Sequence, residues 1–178
     1  MIKNLAIALG AAAAVMFLGA APAHAEPAPT AGHGSVAGLV GYGFKDGMNL
    51  GLGVRGGYTL PMNLYLGGTF VYHLGKTEGP QSLKSYYLGF EGGYDLAAGP
   101  VVIRPYLGLG AHTVTGTMDA IPGITTEPIS SSDTAFALWP GATVLYPLGS
   151  AFLGADARYV IRDQLNTFSL FATGGVQF

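Results

Sequence analysis

Five charged residues stand out in a chain that has few: Arg55, Glu91, Arg104, Asp156 and Arg158. Each lies in a run whose apolar residues fall at every second position, and each belongs to the other, non-apolar set. Three guanidinium groups and two carboxylates so placed can form a paired network, because an isolated charge away from water is very costly. The same groups can instead line a path for ions. His73 and His112 offer further chemistry. A nucleophilic serine needs its base within hydrogen-bond reach, but the chain reads HLG and HTV from the two histidines, with no serine two positions on along the same strand face. A metal site built on His73 and His112 lacks a carboxylate at ligand spacing. His33 falls in the Pro-, Ala- and Gly-rich segment EPAPTAGHG and reads as a solvated linker residue. The recurring GGY and LGLG motifs do not make a phosphate cradle, which needs a helix after the strand.

The elements that must position these groups are strands. From Ser35 onward no useful length shows a helical period, and short alternating runs are separated by turn residues instead. The pattern predicts eight strands, near 35–44, 49–60, 63–75, 84–96, 100–114, 133–146, 150–161 and 167–178. The second sets Leu50, Leu52, Val54, Tyr58 and Leu60 against Gly51, Gly53, Arg55, Gly57 and Thr59. The fourth sets Tyr86, Leu88, Phe90, Tyr94 and Leu96 against Ser85, Tyr87, Gly89, Glu91, Gly93 and Asp95. A soluble sandwich would coat its outer face with Lys, Glu, Ser and Thr. Here the non-apolar face is glycine with isolated charges, which suits a crowded interior where backbone and long side chains approach closely. The apolar face is therefore outside, and an apolar outside needs lipid. Tyr42, Phe44, Tyr58, Tyr72, Tyr86, Tyr94, Tyr146 and Tyr159 share that outward parity near strand ends, at the height where amphipathic rings meet headgroups. Trp139 has inward parity and is expected to fill the lumen. Pro105 and Pro140 interrupt their strands, so a bulge or local break is expected at each.

Composition agrees. The 178 residues are 49% hydrophobic and 10% charged, against about 25% charged in an ordinary soluble domain. A net charge of −2 provides no basic footprint for nucleic acid. Lys3, the apolar run Leu5 to Leu18 and the motif Ala23-His24-Ala25 read as a secretory signal peptide over 1–25. Cleavage there leaves seven Lys and Arg against ten Asp and Glu, a net charge of −3. Residues 26–34 read as a short disordered leader, and 35–178 as one barrel domain. The chain has no cysteine, so it is neither a lipid-anchored lipoprotein nor a disulfide scaffold.

Connections alternate between tight turns, at Pro61-Met62, Ala97 to Gly99 and Pro147 to Gly149, and wider loops at Gly75 to Lys84, Gly116 to Ser132 and Arg162 to Asn166. Short turns on one rim and longer loops on the other are expected of bacterial transmembrane barrels. An internal repeat supports closure. LGVRGGYTL from Leu52 and LGFEGGYDL from Leu88 agree at six of nine positions, and each leads through a tight turn to a YLG triplet. A weaker third copy runs from Gly141 to the FLG triplet at Phe152. The repeat aligns Arg55 with Glu91, which predicts similar depth for the two charges.

With its signal peptide, eight amphipathic strands and a final Phe178 after alternating Phe168, Leu170, Ala172 and Val176, the chain resembles the small outer-membrane barrels of the OmpA and OmpX type. The resemblance covers nearly the whole mature chain and is one of architecture. It implies an all-β, eight-stranded antiparallel up-and-down transmembrane barrel in the outer membrane of a Gram-negative cell. Implied partners are outer-membrane lipids and lipopolysaccharide, with Phe178 as the signal read by the barrel assembly machinery. The peptidoglycan-binding domain that follows the barrel in OmpA is not expected. No cofactor and no enzymatic activity is expected. The leading functional expectation is a structural or adhesion-like surface role, with a lumen plugged by Arg55, Glu91, Arg104, Asp156 and Arg158 and the loop 116–132 as contact surface. A narrow pore is the second reading. A lipid A-modifying enzyme is the third, since some small barrels deacylate lipid A with a lipid-facing Ser and His.

Overall fold

The computed structural model describes residues 32–45, 48–78, 81–120, 127–163 and 165–178. The expected signal peptide and most of the leader lie outside the described residues. Nine strand segments follow in order: β1 His33–Gly43, β2 Leu50–Thr59, β3 Leu64–Glu78, β4 Gln81–Tyr94, β5 Leu96–Ala98, β6 Val101–Met118, β7 Ile129–Leu148, β8 Ala151–Arg162 and β9 Thr167–Gln177. Every neighbouring pair is antiparallel, β1 also pairs with β9, and β4 pairs with β6. The sheet is therefore closed. Segments β4 and β5 form one stave interrupted at Asp95, so nine segments make an eight-stranded barrel with no free edge along its body.

The face assignments follow the alternation. Leu52, Val54, Leu66, Phe70, Leu88, Phe90, Leu107, Leu109, Leu153 and Val176 point outward and are exposed, Phe90 by 76%. Arg55, Glu91, Arg104, Asp156 and Arg158 are all buried in the lumen. An exterior this apolar, on a barrel whose polar groups face inward, is stable only against lipid.

Glycine on the inner face has a steric cause. The Tyr65 ring lies across Gly57 and Gly67, Trp139 lies across Gly89 and Gly108, and the Tyr106 ring end lies against Gly141. A Cβ at Gly57 would come within 2.5 Å of the Tyr65 ring, and one at Gly67 would meet the same ring and the Gly56 carbonyl. Gly67→Val is accordingly expected to destabilise the barrel by about 1–3 kcal/mol, the usual penalty for overpacking. The outward-facing Gly92, where a Cβ would meet nothing within 4 Å, should accept valine with little change. Chemical unfolding of the two variants in lipid vesicles measures the difference.

The two-residue turns Gly99-Pro100 and Gly149-Ser150 open on glycines with φ of 64° and 67°, as twist-matched hairpin turns require. At the opposite rim the chain departs from expectation. β3 runs on to Glu78 and β4 starts at Gln81, while β6 reaches Met118 and β7 starts at Ile129. Much of the expected loops 75–84 and 116–132 is thus paired ribbon. Their outward rows, Lys84–Thr115–Ser132 and Ser82–Thr117–Ser130, are polar where the barrel strands below are apolar, so these segments read as loop. β1 also begins at His33, which pairs with Thr59, two residues before the expected start.

Each proline sits at a gap in the ladder without a change of register. Pro105 pairs with Ala142 on one side, and on the other falls where β4 gives way to β5. Pro140 pairs with Leu107, while toward β8 the paired residues pass from Leu138 to Gly141 in unchanged register. The expected breaks occur, and the inward and outward parity carries through both.

Candidate functional site: the charged lumen and its outer rim

Arg55 and Glu91 meet across β3. Arg55 Nε lies 2.7 Å from Glu91 Oε2, and the repeat that aligns them also aligns Thr59 with Asp95, whose side chains meet at 3.2 Å. Equivalent positions in two copies of one hairpin therefore touch at two levels of the lumen, with the inward Gly57 and Gly93 between them.

Asp156 is the hub of the larger cluster. It accepts from Arg55 Nη2 at 2.8 Å, Arg158 Nε at 2.7 Å, the Thr143 hydroxyl at 2.6 Å and the Tyr106 hydroxyl at 3.0 Å. Glu91 accepts from the Trp139 indole N–H at 3.0 Å and lies 3.6 Å from Arg158. Two guanidinium groups thus face two carboxylates in a space walled by rings. Arg55 lies over Tyr106 with 4.7 Å to the ring centroid, and Arg158 over Phe171 at 5.1 Å. Buried charges in such a site persist only when paired and hydrogen-bonded, and this cluster is balanced.

Arg104 does not join it. Its Nε donates to Asp95 at 2.5 Å and its Nη2 at 2.8 Å, and its guanidinium stacks on Tyr65 with 3.8 Å to the centroid. The single five-residue network expected from sequence is therefore two units, Arg55–Glu91–Asp156–Arg158 and Arg104–Asp95. Asp95 has inward parity but stands outside the expected network. Its alignment with Thr59, four residues on from the aligned Arg55 and Glu91, is the signal that could have found it.

Apolar groups close the lumen on both sides of these charges. Ala37, Val102, Leu145 and Phe152 pack at the short-turn end. Leu39, Val71, Tyr87, Trp139, Val160 and Phe171 form a layer toward the other rim. Beyond that layer, Arg162 pairs with Asp133. His73 and His112 are buried there beside Tyr87, with ring centroids 6.1 Å and 5.8 Å from it. Both point into the lumen and not toward lipid. His73 Nδ1 faces the Asn49 carbonyl at 3.4 Å, and neither nitrogen of His112 has a protein hydrogen-bond partner. No Ser–His pair forms between these histidines and a lipid-facing serine among the described residues. No group of three or more metal-ligating side chains occurs among the described residues either.

Phe178 lies at the short-turn rim, where its N–H donates to Gly34 O at 2.9 Å and its carbonyl accepts from Gly34 N–H at 2.7 Å. Its ring is exposed and rests against Gly34.

An apolar exterior around a closed, charge-balanced and ring-filled lumen defines a transmembrane β-barrel. More particularly, the fold is that of the small bacterial outer-membrane barrels. The crystal structure of Ail, the attachment invasion locus protein of Yersinia pestis, is similar with a TM-score of 0.59 at 17% identity, over 84% of this chain and 100% of that one. A major outer membrane protein from Thermus thermophilus gives 0.60 at 16% identity, over 83% and 100%. Neisserial surface protein A gives 0.54 at 18% identity, over 82% and 94%. No protein-family model and no curated protein sequence matches the chain.

Proposed function

We propose that this chain is an exported barrel of the bacterial outer membrane whose lumen is sealed and whose function is surface interaction through its outer ribbon and loops. In this reading residues 1–25 are removed on export, and Phe178 on the last strand is the signal to the barrel assembly machinery. The observation that carries the reading is the contrast between the two parts of the molecule. The lumen is filled by paired charges and rings, while β6 and β7 continue as a paired ribbon past Ala137, where the ladder with β8 ends. The interior is spent on stability, and the projecting ribbon is left to meet partners.

An attachment protein and a surface protein among similar folds support the surface role. Ail has also been solved with the heparin analogue sucrose octasulfate. The described residues flanking the hairpin tip of the present chain include Asp119 and Glu127, so a polyanion is not the partner we propose for that tip.

The test is a deletion strain complemented with the full chain or with a variant whose 116–132 hairpin is trimmed to a short turn. Both proteins should fractionate with the outer membrane and change gel mobility on heating, and only the full chain should restore surface attachment. Attachment unchanged by trimming would exclude the hairpin as the contact surface, and a soluble periplasmic protein would refute the location.

A further inference from the structure

The buried charges of the lumen do not cancel. Among the described residues, four guanidinium groups, Arg55, Arg104, Arg158 and Arg162, are buried with three carboxylates, Glu91, Asp95 and Asp156. All three carboxylates belong to the two units described above, so the excess cation is Arg162, at the outer end. Its Nη2 pairs with Asp133, whose side chain is 80% exposed, and its Nε is buried with no hydrogen-bond partner. A pair with a solvated carboxylate is weak. It leaves the buried part of the guanidinium uncompensated, which is costly in a filled lumen.

Other unpartnered groups gather at the same height. Following paired residues once round the barrel, from Thr143 through Asp156, Phe171, Gly41, Gly51, His73, Ser85 and Val114, returns to β7 at Asp133, ten residues from the start. A row of paired residues therefore climbs the wall, and residues at equal height are offset by about 1.25 positions from one strand to the next. On that offset His73 on β3, Ser85 on β4, His112 on β6, Arg162 on β8 and Thr167 on β9 fall within about 3 Å of one height. All five are buried, and each has a side-chain nitrogen or oxygen with no hydrogen-bond partner. Within the strands, the inward residues nearest that height on β1, β2 and β7 are Gly43, Gly51, Ala135 and Ala137, which bring no polar side-chain atom. Arg162 and Thr167 are diagonal neighbours about the Val160–Thr167 pair. His112 faces them from β6 across a lumen just wide enough for side chains to fill. Ser169, one inward position below Thr167, is likewise unpartnered.

We propose that this polar level binds a single monatomic anion, a halide, between Arg162, Thr167 and His112. Its charge follows from the one excess buried cation. Its size follows from the packing. The unpartnered atoms are sealed from bulk solvent, so an ion about as large as one water fits where a phosphate or a sugar acid does not. The Arg162 Nε–H, the Thr167 hydroxyl and one His112 N–H are the donors it would accept from. The buried carboxylates all lie deeper, beyond the layer of Tyr87, Trp139 and Phe171. His73, whose Nδ1 faces the Asn49 carbonyl at 3.4 Å, and its cross-strand partner Ser85 complete the level from the other side. Chloride is the common halide, and its binding makes the outer half of the plug depend on which anion is present, not on ionic strength alone.

The test uses the full-length mature barrel folded in lipid vesicles. Its resistance to urea is compared in sodium chloride, sodium bromide and sodium gluconate at equal ionic strength, because gluconate is too large for the level. Both halides should stabilise the fold, and each tenfold rise in halide above its Kd should raise the folded-to-unfolded ratio about tenfold. Arg162→Met should remove this dependence. The near-isosteric Thr167→Val should weaken halide binding roughly tenfold, the loss expected of one well-placed hydrogen bond. In crystals grown with bromide, the anomalous signal should fall beside Arg162 Nε and Thr167 Oγ1. If the Asp133 pair alone neutralises Arg162, halide and gluconate will give equal stability, which would overturn the proposal. A halide effect undiminished by Arg162→Met would overturn it too, as would bromide found on the outer surface as an adventitious ion only. Heat-shifted gel mobility confirms that the variants are folded.

Discussion

Asp156→Ala is expected to destabilise the barrel by about 3–5 kcal/mol, because it leaves Arg55 and Arg158 facing Glu91 alone. The same change strands the Thr143 and Tyr106 hydroxyls, which donate to Asp156 at 2.6 Å and 3.0 Å. Water reaching the lumen would reduce the loss by solvating the surviving arginines. Equilibrium unfolding in lipid vesicles gives the number, and a cycle separates its parts. Asp156→Ala combined with Arg158→Ala should cost less than the sum of the single changes by about 0.5–3 kcal/mol, since the second change removes one of the uncompensated charges. Arg55→Ala with Glu91→Ala should behave the same way. Arg104→Ala has a different carboxylate, Asp95, and should add to Asp156→Ala within about 0.5 kcal/mol. Additivity within the Asp156 cluster, or strong coupling between Arg104 and Asp156, would refute the two-unit description.

Trp139→Ala should be comparably damaging, at about 3–5 kcal/mol for loss of a fully buried indole. Two contributions can be separated. The ring fills the lumen over Gly89 and Gly108 and packs on Tyr87 at 5.3 Å between centroids, and its N–H satisfies Glu91 at 3.0 Å. Trp139→Phe keeps most of the ring volume but removes the donor, so it should lose about 1–3 kcal/mol. Pairing Trp139→Ala with Gly108→Leu should recover part of the loss, because the leucine enters the space the indole held. Equal losses for the Phe and Ala variants would show that the hydrogen bond to Glu91, and not lumen filling, is the role of Trp139.

The barrel body was legible in the sequence because a closed sheet enforces period 2 on both faces. Leu52, Val54 and Phe90 had to meet lipid, and Arg55, Glu91 and Asp156 had to leave it. The Arg55–Glu91 contact was legible for a further reason: a repeated hairpin puts matching positions at matching depth. Parity gives direction but not partner, and this is why Arg104 was grouped with the wrong carboxylates. Its choice of Asp95 follows from the hairpin register, in which Leu96 opposes Ile103 and Gly93 opposes Tyr106 so that Asp95 faces Arg104, and from the Tyr65 ring against its guanidinium. The outer ribbon was illegible because its strands use Ser and Thr. Paired hydroxyls such as Thr115 and Ser132 extend the ladder, and the outward rows above Tyr86, Lys84–Thr115–Ser132 and Ser82–Thr117–Ser130, are polar where the outward rows that identified the strands below are apolar.

The central claim, that the lumen is a plug and the work is at the surface, is tested most directly by planar-bilayer recording from the purified, heat-modifiable protein. Paired charges backed by the Tyr87, Trp139 and Phe171 layer predict an electrically silent bilayer at moderate voltage, with conductance appearing only when variants such as Trp139→Ala and Asp156→Ala open that layer. A steady open channel from the unaltered protein would contradict the account.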